Sequence, residues 1–155
     1  MQTVLILHNI LRWGVLIFGL WALIGAISGV ASKRSYSASD NRSSLLFMIF
    51  CDIQLLFGLL LFFLNSWLDK IKTNGMGATM KNAYDRFFTV EHAGMMLLAL
   101  IFVHIGRASV KRAQPPAAKH KKTLIFFGIA LLIIFISIPW PFRNEIARPL
   151  FRWFN

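Results

Sequence analysis

Acidic side chains are scarce: six Asp and Glu stand against 17 Lys and Arg, a net charge of +11. That balance looks like a nucleic-acid footprint, but most of the cations sit between apolar runs rather than on one basic face. There they serve topology and anionic lipid headgroups, so nucleic acid is not an expected partner. Charged residues of all kinds reach only 15%, while 57% are hydrophobic. A soluble domain is typically about a quarter charged. Cysteine is almost missing. The lone Cys51 excludes an intrachain disulfide, and inside an apolar run it reads as a small buried hydrophobe. Met1-Gln2-Thr3 lacks the basic stretch and small-residue cleavage site of a signal peptide, so the first apolar run is expected to be retained. No Ser-His-Asp order, phosphate loop or Cys-rich metal spacing occurs, which leaves nucleophilic and phosphoryl chemistry unsupported and catalytic residues unassigned.

Four apolar runs are present, and their lengths match a bilayer crossing of about 20 residues. The expected architecture is all-α: a four-helix transmembrane bundle with short loops and both termini on one side. The helices span about residues 4–31, 45–67, 87–108 and 123–138, followed by an interfacial tail at 139–155. Residues 1–155 form one integral membrane domain. In the first run, Gly25 and Gly29 form a Gly-x-x-x-Gly pair beside Ala22 and Ala26, a spacing that lets another helix approach. The Ser-rich stretch 32–44 reads as a loop, and Trp67 reads as an interface residue. Residues 68–85 form the longest connection, with a turn at Asn74-Gly75-Met76-Gly77. Pro115-Pro116 breaks any helix in the most basic loop, where His120 is expected to be solvated. Loop charge puts the connections after runs one and three in the cytoplasm and both termini outside. The chain is thus expected in the cell inner membrane as a multi-pass protein, with the lipid bilayer as its first partner.

Polar residues inside the runs carry the functional argument, because a charged side chain at the bilayer centre costs at least ~2.5 kcal/mol and usually faces protein, water or a cofactor. His8 and Arg12 share one helix face at the start of run one; Glu91 and His92 open run three. At 1.5 Å per residue, Arg12 and Glu91 both stand ~30 Å from the cytoplasmic helix ends, His92 ~28 Å and His8 ~36 Å. An Arg12–Glu91 ion pair between the two helices is the simplest way to satisfy both. His8 and His92 on facing helices, with an arginine one turn away, make a haem b site: two axial imidazoles and a guanidinium for a propionate. Glu91 would orient a ligand from behind. His92 and His104 lie ~18 Å apart along one helix and cannot share an iron. His104 lies near the cytoplasmic end, where Asp52 on run two comes within reach of it or of Arg107, and Gln54 adds an interhelix contact. Met95 and Met96 read as core fillers.

The elements Leu7-His8-Asn9-Ile10-Leu11-Arg12-Trp13, Asp52-Ile53-Gln54-Leu55-Leu56-Phe57-Gly58, Arg86-Phe87-Phe88-Thr89-Val90-Glu91-His92 and Ile138-Pro139-Trp140-Pro141-Phe142 resemble the small four-helix Bacteroidota membrane proteins labelled cytochrome B. The resemblance implies a b-type haem with His8 and His92 as the residues to test. The chain departs from that family at Asp52, where other members carry His before the Ile-Gln-Leu-Leu element. Three functions follow from these residues. The first is a b-type cytochrome passing single electrons in the membrane, with a quinone or other membrane redox subunits as partners. The second is a cofactor-free accessory or assembly subunit, homo-oligomeric or bound to a larger complex. The third is a small transporter or proton-conducting protein using Asp52, Glu91 and His104.

Overall fold

The computed structural model describes residues 1–152 and is all-helical over its regular elements. Five helices form: α1 (Gln2–Ala31), α2 (Ala38–Leu64), α3 (Trp67–Lys81), α4 (Ala83–Arg112) and α5 (Pro116–Ser137). Within α4, residues Phe87–Glu91 make a wide π turn, closed by the His92 N–H on the Phe87 carbonyl. Four of the five, all but α3, are long and apolar enough to cross a membrane. They stand in a ring in which α1 packs on α2 and α5, and α4 on α5 and, least extensively, α2.

Local chemistry sets the helix starts. Ser37 caps α2 in a reciprocal box: its hydroxyl accepts from the Asp40 N–H, and the Asp40 carboxylate accepts from the Ser37 N–H. This draws α2 back to Ala38, seven residues before its apolar run, so much of the expected Ser-rich loop is helix. Pro115 and Pro116 begin α5 rather than break it, because proline's missing N–H costs nothing in a first turn. The expected long connection at 68–85 is mostly α3, stopped at its middle by Gly75 (φ 79°, ψ 154°).

The core lies where the ring closes, around Phe47, Val103, Phe127 and Ala130, each fully shielded, with their rings or methyls meeting across α2, α4 and α5. Close approach depends on absent side chains: a Cβ on Gly106 would stand 2.6 Å from the Phe126 Cβ. Outward faces are apolar as well. Ile17, Ile24, Leu56, Phe63, Ile101 and Leu132 are each more than half exposed, and only 17–39% of the most apolar window of each long helix is buried. A water-soluble bundle would turn these stripes inward.

Beyond α5 the chain turns back. Arg143 donates to the Ile136 carbonyl and lies over the Phe87 ring, and Ile138 and Ile146 are buried. The segment then runs across α1 as an extended strap.

Candidate functional site

A cavity of about 400 Å³ opens between α1, α2 and α4, beneath the strap. Small-molecule and cofactor sites fall in the same range of ~300–1,000 Å³. His8, Arg12 and Gln54 line it from α1 and α2, His92 from α4, and Arg148 and Arg152 from the strap. The remaining wall is mainly apolar and aromatic. No Asp or Glu is among the lining residues; its ionisable side chains are three arginines, two histidines, Tyr84 and the Cys51 thiol.

The two imidazoles meet as expected from the sequence: the His8 and His92 ring centroids are 6.5 Å apart, with planes at 69°. His92 Nδ1 lies 2.9 Å from the Ser137 carbonyl. A carbonyl only accepts, so the proton sits on Nδ1 and the Nε2 lone pair is free. His92 Nε2 has no hydrogen-bond partner among the described residues, and the ring packs against Phe87 and Phe88. His8 is engaged differently. The Gln54 amide donates to the His8 carbonyl at 3.0 Å and sits 3.2 Å from His8 Nε2, while His8 Nδ1 is buried without a partner.

Arg12 and Glu91 do not pair, which corrects the sequence expectation. Arg12 Nη2 donates to the Leu150 carbonyl at 2.6 Å, alongside Asn9 on the Pro149 carbonyl and Trp13 on the Leu150 carbonyl. Trp13 also stacks on Phe151 at 5.1 Å. Glu91 binds Arg86 Nε at 2.7 Å and lines a separate cavity with Arg143 and Glu145. It is therefore not positioned behind His92.

Two cavity cations, Arg148 and Arg152, went unmarked in the sequence reading because their tail resembled a headgroup-layer segment. Arg148 stacks over Tyr84 and Phe88 at 5.0 and 4.7 Å and hydrogen-bonds the Tyr84 hydroxyl. The signal was there in Arg148 and Arg152 flanking Phe151, though the same mix suits a membrane surface. Trp67 is buried, stacked on Phe88 at 5.7 Å and covered by the Lys70 ammonium, rather than standing at an open interface.

Asp52 and His104 pair at 2.7 Å between α2 and α4 and line neither cavity. His120 corrects another expectation. It is fully buried with both ring nitrogens unpartnered, packed on Gly29 and 5.1 Å from the Tyr36 ring. Nearby, outside the apolar spans, burial pushes the Tyr36 phenol above its ordinary pKa. The Arg34 guanidinium is held protonated by its hydrogen bonds to Asp40. Among the described residues no group of three or more His, Cys, Asp or Glu could hold a metal ion, so any metal at His8 and His92 would need further ligands from a cofactor.

Compared with known protein families, curated proteins and solved structures, the chain matches none.

Proposed function

We propose that the chain is a multi-pass protein of the cell inner membrane whose strapped cavity binds haem b between His8 and His92 and serves one-electron transfer with a quinone or a membrane redox subunit. The carrying observation is the meeting of two imidazoles from different helices, 6.5 Å apart between centroids, in a cavity whose charged side chains are all arginines. His8 and His92 are the residues that would hold the haem iron. A b-type haem supplies a one-electron couple whose potential follows its axial ligands and surroundings.

The residues present fit such a group in distinct ways. The Ser137 carbonyl fixes the His92 tautomer and ring orientation, as outer partners of ligating histidines do. His8 would supply the second imidazole, which requires Gln54 to give up its contact with Nε2. Arg12, Arg148 and Arg152 provide donors for carboxylates at the strap end, and the apolar wall keeps water out. Membrane insertion is supported by the four long helices and their outward apolar faces.

The test is the visible spectrum of protein purified after haem-replete expression, oxidised and then reduced. A Soret band that shifts on reduction and is lost in His92→Ala and in His8→Ala is the expected result. Its absence from the wild type refutes the haem assignment. A second reading, a cofactor-free accessory subunit, draws on the Gln54 amide already engaging His8 Nε2 and the strap already accepting from Arg12 Nη2. It expects His92→Ala to lower stability with no spectral change.

A further inference from the structure

The Asp52–His104 pair takes no part in the cavity, yet it is the most unusual polar feature on the outer surface. Asp52 stands halfway along α2, and His104 lies well inside α4. Their side chains are 41% and 48% exposed, on a face otherwise formed by Ile49, Leu56, Ile101 and Ile105. Ionisable groups at membrane depth face protein or water rather than lipid, because hydrocarbon offers no hydrogen bonds. The internal bond uses only Asp52 Oδ1 and His104 Nε2. Asp52 Oδ2 and His104 Nδ1 have no partner among the described residues.

From this we infer that the α2–α4 face is the interface of a homodimer, with the Asp52–His104 pair at its centre. The inference rests on the membrane-spanning part of the proposed function and not on haem. The face is self-complementary in chemistry: it carries one spare acceptor and one spare imidazole nitrogen. Copies inserted in the same orientation present these groups at the same depth. A twofold axis along the membrane normal therefore brings each Asp52 Oδ2 to the other copy's His104 Nδ1, which donates when the ring is protonated on both nitrogens, closing a four-membered ring of hydrogen bonds. Neither a lipid chain nor an apolar partner helix satisfies those atoms. The surrounding apolar residues pack against their own counterparts, and α2 and α4, the least extensively packed neighbours in the ring, gain cover from outside.

The experiment uses the full chain in phosphatidylethanolamine–phosphatidylglycerol vesicles, with single cysteines introduced on a Cys51→Ala background. Ile101→Cys and Leu56→Cys, one turn from His104 and Asp52, are expected to cross-link as dimers, and Leu132→Cys on α5 is expected not to. Asp52→Leu combined with His104→Leu should weaken dimerisation about eightfold, as two interhelical hydrogen bonds of average strength imply. Exclusive monomers at every protein-to-lipid ratio, cross-linking through Leu132→Cys instead, or an unweakened double variant would each overturn the interface. The wild-type cross-linking pattern decides the matter even if the double variant does not fold. Release of the wild type from membranes by alkaline carbonate would overturn the spanning reading and the interface with it; retention together with monomers overturns the interface alone.

Discussion

Replacing Gly29 with alanine tests the packing of α1 against α5 at its tightest point. A methyl group there would lie 2.3 Å from the Cε1 and Nδ1 atoms of His120 and 2.4 Å from its Cγ. Ordinary carbon contacts need ~3.5–4.0 Å, so the ring or the helix must shift by more than about 1 Å. The ring has no free direction: His120 is 0% exposed and the Tyr36 ring stands 5.1 Å away. Overpacking of this kind costs about 1–3 kcal/mol. Against it stands the helix-propensity gain of ~0.5–1 kcal/mol for Gly→Ala in a helix interior. The net is destabilisation of up to ~2.5 kcal/mol, a fall in melting temperature of up to about 10 °C for a chain of this size. Gly94→Ala is the matched control, since nothing lies within 4 Å of its added Cβ. There only the propensity gain operates, and the melting temperature should rise by ~1–4 °C. Thermal unfolding of both variants in the same detergent, followed by tryptophan fluorescence, gives the comparison. In addition, Gly29→Ala should cost little more once His120→Ala has removed the ring, a coupling of about 1 kcal/mol or more. A Gly29→Ala protein as stable as Gly94→Ala, or additivity with His120→Ala, would refute the packing argument.

Asp40→Ala removes the acidic half of the α2 capping box and both Arg34 contacts at 2.6 and 2.8 Å. With the ion pair discounted because Arg34 is partly exposed, the loss should be ~1–2 kcal/mol, read as a fall in melting temperature of about 2–8 °C; an unchanged transition would show that the cap contributes nothing. Gly75→Ala meets open space but a backbone conformation (φ 79°, ψ 154°) that is essentially confined to glycine. The expected cost is ~1–3 kcal/mol, concentrated in the second half of α3. Faster amide exchange over residues 76–81 would report it, and unchanged exchange there would contradict it.

The four long apolar helices were legible because length and composition suffice to mark them. The convergence of His8 with His92 was legible from their residue types on facing helices, against an ~8 Å difference in depth, and His104 was one of the two partners open to Asp52. Depth failed for Arg12 and Glu91 because it ignores rotation about the helix and cannot anticipate competitors. The Leu150 carbonyl, 138 positions away in the chain, takes the guanidinium, and Arg86 takes the carboxylate. Helix α3 was hidden because its polar residues interrupt any apolar run and Gly75 and Gly77 read as a turn. That reading located the break in the helix while missing the helix itself. His120 was misplaced for a related reason. Read as a breaker, Pro115-Pro116 left the following lysines in solvent, whereas read as a first turn it winds His120 onto Gly29.

Two adjacent residues of α4 serve different cavities because neighbours on a helix point ~100° apart, and the π turn keeps each face aligned over several turns. Tyr84, Phe88, His92, Met96 and Leu100 all line the strapped cavity, at a constant spacing of four. An α-helix advances about 100° per residue, so each step of four overshoots a full turn by ~40°. Four steps would carry Leu100 nearly to the opposite side from Tyr84. The turn at Phe87–Glu91, closed by a bond to the fifth residue back, holds about one residue more than an α turn and takes up part of that drift. Tyr84 and Phe88 thereby stay on the His92 face, where they meet Arg148 and Trp67. The same turn leaves Ala83, Phe87 and Glu91 facing Arg143 and Glu145 on the other side. Glu91 is thus excluded from the His8–His92 cavity by backbone geometry, and the cavity's lining carries no carboxylate that would compete for its arginines.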